Sequence, residues 1–316
     1  MLFVVLSFFA IGLMRVIQKV CGKRVSNLLN DKPTFFQYGA YYQALSAILA
    51  LILLFFLGFD GFNLATVLCA LATALCFAID LFSGVEALKG ATMSICNMVA
   101  MGGLFIPCIV GIFLFDEPMS VMQWVGLVIF IVSVYFLARD SKNTYKKFSL
   151  KTLVMLIVSL VINGVVTVVQ KYFALLVPDG NVALFSFLTF GQNSLIMFIC
   201  MCVFILLEKK KGKEKQEEKT EENVEPLKEE KVKLVRLNKT LLICGSLLAV
   251  AVFVINQLVT TMARTVPSVV LFTVSGAISI IITSFVGALV YGEKITVKNI
   301  IGLILGLGSI VIVNVF

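Results

Sequence analysis

Long stretches of this chain contain almost no charge. Residues 36–57 and 267–291 hold no Asp, Glu, Lys or Arg at all. An apolar run of 18 or more residues is read as a helix that crosses a bilayer, because only a helix satisfies its own backbone in lipid. The overall balance agrees: 60% of the 316 residues are hydrophobic and 14% are charged, against about 25% charged in a soluble domain. The chain is therefore expected to be an all-α, multi-pass membrane protein.

The spacing predicts ten spans, with approximate bounds Leu2–Val20, Phe36–Leu57, Ala65–Leu88, Thr92–Phe115, Val121–Leu137, Leu153–Leu176, Asn181–Leu207, Leu241–Arg264, Pro267–Tyr291 and Val297–Val315. "GLMRVIQK" at Gly12–Lys19 returns as "GVVTVVQK" at Gly164–Lys171. At that offset Gln18 falls on Gln170 and Lys19 on Lys171. Gln43 falls on Gln192 at an offset of 149, and from span 3 onward the offset stays at 176. There Asp80 falls on Asn256, Gly111 on Gly287 and Glu117 on Glu293. The expectation is two five-helix repeats, residues 1–140 and 150–316, the second interrupted by the charged linker 208–239. Five is odd, so the halves should cross the membrane in opposite senses.

Of 26 Lys and Arg residues, 24 fall in or beside the odd-numbered loops; Lys171 and Arg264 do not. The positive-inside rule then puts the odd loops and the linker in the cytoplasm and both termini outside. The linker mixes Lys and Glu too densely to bury apolar surface. It reads as a solvated connector, or as a tether for anionic lipid.

Asp80 lies deep in span 3, where a carboxylate is costly and tends to mark a pathway. It is expected to face the interior, either coupling transport to protons or locking helices by hydrogen bonds. Its counterpart Asn256 begins a polar face with Thr260 and Arg264 at intervals of four. Lys19 and Lys171 either snorkel to the interface or touch substrate. Gln18, Gln43, Gln170 and Gln192 are substrate candidates or interhelical hydrogen-bonding groups. Gly103, Pro107 and Gly111 in span 4, and Ser279, Thr283 and Gly287 in span 9, form close-packing ridges, with Pro107 able to hinge its span. Glu117 and Glu293 are expected to cap spans 5 and 10. Gly302–Gly306 is a GxxxG that packs within the chain or between chains, so a homodimer stays open.

The ordered set of Gly…Lys closing the first span of each half, Gly-x5-Glu before the last and Pro107 in span 4 resembles the drug/metabolite transporter (DMT) superfamily, EamA-like group, over nearly the whole chain. The resemblance implies a secondary transporter of small metabolites or drugs in the cell membrane, working by alternating access. It also implies an inverted repeat. Span 1 lacks the acidic residue of the small multidrug relatives, so their coupling mechanism does not carry over. The alternatives are a flippase for lipid-linked substrates and an intramembrane enzyme. The latter would need clustered carboxylates with a metal or His, whereas the chain has no His. No catalytic residue, metal, cofactor or nucleic-acid partner is expected. The eight Cys lie mostly in apolar runs and read as packing residues.

Overall fold

The computed structural model describes residues 2–60, 62–91, 93–103, 105–140, 149–221, 237–292 and 297–315. The described residues form eleven helices and no strand. They are α1 (Leu2–Ser26), α2 (Lys32–Leu57), α3 (Leu64–Gly90), α4 (Met93–Gly102), α5 (Phe105–Leu114), α6 (Val121–Asp140), α7 (Leu150–Leu176), α8 (Val182–Glu221), α9 (Lys239–Met262), α10 (Ser268–Tyr291) and α11 (Val297–Val315). Seven of them, α1, α2, α3, α7, α8, α9 and α10, are long and apolar enough to cross a membrane. The 26 residues of α2 extend about 39 Å at 1.5 Å per residue, enough for a hydrocarbon core of about 30 Å.

The side chains are distributed as lipid requires. Phe113 (81% exposed) and Leu289 (83%) project from the outer surface, while Ser46, Thr73, Asn97 and Asn193 are fully buried. A soluble protein does not expose large apolar side chains across most of its surface. In a bilayer the hydrocarbon covers them, and the polar groups are held between helices.

Helix starts are written locally. Asp31, Asn63 and Ser149 each accept the backbone N–H three residues on, at the heads of α2, α3 and α7. Ser120 and Gln123 form a reciprocal capping box at the head of α6. Glu117 therefore does not cap α6, contrary to the sequence expectation, because Ser120 already takes that place. Glu293 lies outside the described residues.

Span 4 is two helices and not one. The break falls at Gly103, four residues before Pro107. Pro107 has no N–H to give the Gly103 carbonyl, which instead accepts from Ile106 N–H at 3.0 Å in a tighter turn. Pro107 itself sits in the first turn of α5, where a missing N–H costs nothing. A Cβ on Gly103 would lie 2.0 Å from the Leu160 carbonyl oxygen, so the broken segment rests directly on the α7 backbone. The break is thus made jointly by Pro107 and Gly103.

Span 1 is also longer than expected. It continues to Ser26, which leaves Arg15 and Lys19 well inside the helix rather than at its end. α8 runs on as helix to Glu221, so the first part of the charged linker is helical; residues 222–236 lie outside the described residues.

Contacts segregate the chain into two ends. At one end Asn181 Nδ2 donates to the Gly58 carbonyl at 2.8 Å, and Glu117, Lys171 and Ser268 meet. At the other, Lys23 Nζ donates to the carbonyls of Leu88 (2.7 Å) and Ala91 (3.0 Å), Lys89 Nζ donates to that of Leu29, and Lys151 pairs with Glu86. In between, α2 and α8 run antiparallel: Gly39 faces Met197 near one end and Leu54 packs with Leu184 near the other. α6 packs on α11, with Ser133 Oγ donating to the Gly302 carbonyl at 2.6 Å. A Cβ on Gly306 would lie 3.0 Å from Ser133 Oγ, so the GxxxG serves a contact within the chain.

Candidate functional site

The middle of the bundle contains a polar cavity of about 60 Å³ between α1, α3, α4, α7 and α9. Three charged side chains line it: Arg15 and Lys19 from α1, and Asp80 from α3. Residues 15 and 19 are four apart and so share a helix face. Asp80 lines the same cavity, and both cations lie within Coulombic reach of it. Asp80 Oδ1 accepts from Ser159 Oγ at 3.1 Å and Asn163 Nδ2 at 2.8 Å, both on α7. These two donors fix the carboxylate against the cavity wall and satisfy part of the polar demand that its burial creates.

The opposite wall is neutral. Gln170 Nε2 donates to Asn256 Oδ1 at 2.5 Å, and Asn256 Nδ2 donates to Ser186 Oγ at 2.7 Å. Gln257 Nε2 donates to the same hydroxyl at 3.0 Å. This chain of amides joins α7, α9 and α8. Asn97 closes a further side, its Nδ2 donating to Ser279 Oγ at 3.3 Å and Thr283 Oγ1 at 3.1 Å on α10. The small-residue ridge of span 9 is therefore also a hydrogen-bonding surface.

Five of the sequence candidates meet here: Gln18, Lys19, Asp80, Gln170 and Asn256. The others lie elsewhere. Lys171, the repeat counterpart of Lys19, has a side chain 3% exposed and pairs with Glu117 at 2.7 Å. It also donates to the Val266 carbonyl at 3.1 Å. Glu117 in turn accepts the Ser268 N–H at 2.8 Å, so it caps α10. That placement follows from the helix dipole: the first turn of α10 carries no acidic residue of its own, and a carboxylate on a neighbouring segment supplies the charge. Arg264 donates to the Gly180 carbonyl at the same end of the bundle. Thr260 is buried without lining the cavity, and Gln43 donates to the Tyr42 hydroxyl at 2.9 Å. The side-chain carbonyl of Gln192 is buried between helices.

Arg15, Asn163 and Asn97 were not among the sequence candidates. Arg15 counted as a loop-end charge because span 1 was expected to stop at Val20. The available signal was its spacing of four from Lys19 within an apolar run. Asn163 sits beside Gly164 in the repeated stretch, yet nothing in one strand of sequence says that it faces Asp80.

No protein-family model matches the chain, and no curated protein matches it. Solved structures do. One, described as "Crystal structure of protein", has a TM-score of 0.68 and 13% identity, and the match covers 99% of this chain and 97% of that chain. The likeness is one of fold, over nearly the full length of both.

Proposed function

We propose that this chain is a secondary transporter that moves a small metabolite or drug across the cell membrane by alternating access. In this reading ten segments cross the bilayer: the seven long helices, the α4–α5 pair, α6 and α11. They form two inverted five-helix halves, 1–140 and 150–316, in the manner of the DMT superfamily, EamA-like group.

The observation that carries the reading is the correspondence of contacts around the cavity when the halves are exchanged. α1 lies on α10 as α7 lies on α4 and α5. A Cβ on Gly12 would meet Ile278 at 2.5 Å and Ile282 at 3.4 Å on α10, and a Cβ on Gly164 would meet Ile106 at 2.5 Å on α5 and the Gly103 carbonyl oxygen at 2.6 Å. The glycines are repeat counterparts, each pressed against the counterpart of the segment that the other meets, and Ile106 and Ile282 lie 176 residues apart. The backbone agrees as well: Asp116 and Gly292, also 176 apart, both turn left-handed, at φ 50° and 64°. A chance apolar match does not reproduce both a close approach and a backbone sign. The described parts of loops 1, 3 and 5 gather at one end and the even loops at the other, which supports alternating crossings. Setting aside Arg15 and Lys19 as interior residues, 22 of the remaining 24 basic residues stay on the odd side. On this basis the odd loops and the 208–239 linker are cytoplasmic.

Alternating access needs closures at both ends that can break in turn. Among the described residues each end has one ion pair joining the halves: Lys171–Glu117 at the even-loop end and Lys151–Glu86 at the odd-loop end. With both formed, the cavity is far smaller than the roughly 300–1,000 Å³ of a typical metabolite site. That fits a closed state of the cycle. Breaking one pair would let one half rock away and widen the cavity toward that side.

Purified protein in liposomes, preloaded with candidate solutes, should take up labelled solute in counterflow, and a Lys171–Glu117 cross-link should stop it. Absence of counterflow across amino acids, organic acids, sugars, nucleosides and cationic drugs would defeat the proposal.

A further inference from the structure

We infer, resting on the transporter reading, that the solute site extends past the cavity into a hydrogen-bonding annex behind Phe77, and that this annex takes N–H or O–H donors of the solute. Three residues define it: Thr189 and Asn193 on α8 and Gln43 on α2. Ser186, Thr189, Phe190 and Asn193 recur at intervals of three, one and three, so they share one face of α8, and all four are fully buried. Ser186 is tied to the cavity wall by Asn256. Phe190 stacks on Phe77, which lines the cavity, with ring centroids 6.1 Å apart and planes 11° apart. Asn193 reaches the same helix as Phe77, its Nδ2 donating to the Ala74 carbonyl at 2.5 Å. Along the antiparallel α2–α8 pair, Gly39 faces Met197 and Ser194 Oγ donates to the Ala40 carbonyl at 3.0 Å, which brings Gln43 level with Asn193. The Tyr42 hydroxyl, which accepts from Gln43 Nε2 at 2.9 Å, lies within Coulombic reach of Asp80. Annex and cavity are therefore neighbours, parted by the Phe77 ring.

The chemistry of the annex is set by the atoms it leaves unpaired. Asn193 Oδ1, Gln43 Oε1 and Thr189 Oγ1 are buried and have no partner among the described residues. Buried polar atoms are normally paired, so three such atoms in one region point to a common partner. A backbone carbonyl only accepts, so the Ala74 contact fixes which way round the Asn193 amide sits, and the unpaired atom is an acceptor. Two amide carbonyls cannot satisfy one another. A molecule that satisfies them brings donors: hydroxyls, a primary amine or an amide N–H. Helix locking accounts for the nitrogen of Asn193 and leaves its oxygen unexplained. The annex also answers a shortage of space. The cavity holds about 60 Å³, and rotation of the Phe77 ring would join the two into one larger site.

The test uses purified full-length protein at fixed ionic strength and three probe pairs of matched charge. They are glycerol and 1,2-dimethoxyethane (neutral), ethanolamine and tetramethylammonium (cations), and glycerate and methoxyacetate (anions). The first of each pair carries O–H or N–H donors and the second has none. Thermal stability and liposome counterflow are read for each. In at least one pair the donor-bearing member should stabilise and exchange at least about tenfold better than its partner. Thr189→Val keeps the shape of the side chain and removes only the hydroxyl. It should cut that ratio about three- to tenfold without lowering the melting temperature in the absence of probe, and Thr189→Ser should restore the ratio. Thr189→Ala serves as the second variant if Thr189→Val does not fold. Equal behaviour within every pair, or a ratio untouched by Thr189→Val, assigns the annex to water alone and overturns this inference; counterflow of any probe then leaves the transporter reading standing. A donor preference in thermal stability that depends on Thr189, with no exchange of any probe, would sustain the inference and sink the transporter reading. No response to any probe overturns the inference.

Discussion

The Lys171–Glu117 pair makes an unequal prediction for its two partners. Glu117→Gln leaves the Lys171 ammonium at 3% side-chain exposure with no counter-charge among its described contacts, only neutral carbonyl oxygens of Val266 and the introduced amide. An uncompensated buried charge of this kind costs about 3–5 kcal/mol. Lys171→Met is different. The thioether fills the volume, and Glu117, 23% exposed, keeps both its access to water and the Ser268 N–H at the head of α10. The loss is then one charge-assisted hydrogen bond, about 1–2 kcal/mol. In the Lys171→Met background, Glu117→Gln removes only a charged cap and costs about 1 kcal/mol. A double-mutant cycle by reversible unfolding in mixed micelles should therefore give a coupling of about 2–4 kcal/mol, with Glu117→Gln the worst single change. Equal costs for the two single substitutions, or additivity in the double, would refute the reasoning that burial of Lys171 dominates.

Four further outcomes are expected. Gly103→Ala should destabilise the protein by at least about 1–3 kcal/mol, because its Cβ would meet the Leu160 carbonyl oxygen at 2.0 Å. Gly84→Ala in α3, where a Cβ meets nothing within 4 Å, should be neutral or stabilising by up to about 1 kcal/mol; thermal unfolding of both variants checks the contrast. Asp80→Asn separates the two readings of Asp80, since an amide accepts no proton: loss of accumulation driven by a pH gradient with exchange preserved marks proton coupling, and unchanged accumulation marks a helix-locking hydrogen-bond role; liposome flux at matched protein amounts reads both. A cysteine placed at Asn223 in the linker should be shielded from an impermeant thiol reagent in intact cells and label after permeabilisation, and labelling of intact cells would reverse the proposed orientation.

How much of this was legible beforehand depends on the reach of each signal. Charge-free runs of more than 18 residues dictated lipid-facing helices, because no other local structure satisfies the backbone there. Asp80 also announced itself, since a carboxylate in such a run must face inward. Repeat spacing marked Lys19 and Lys171 as counterparts, but it could not say that one lines a cavity with Asp80 and the other is sealed against Glu117. That difference was decided by the helices that cover each face. α1 extends a further turn and more, to Ser26, and holds Arg15 and Lys19 inside the bundle, while Lys171 meets the loop between α5 and α6. The destination of Glu117 was hidden for the same reason. Its acceptor duty lies on α10, some 150 residues away, and a capping signal is readable only when cap and helix are adjacent in sequence. The break at Gly103 required the Leu160 backbone to press where a Cβ would stand. Periodicity reports which residues share a face. Which charges meet across a gap, and which unpaired backbone groups find a distant side chain, is set only once the helices have packed.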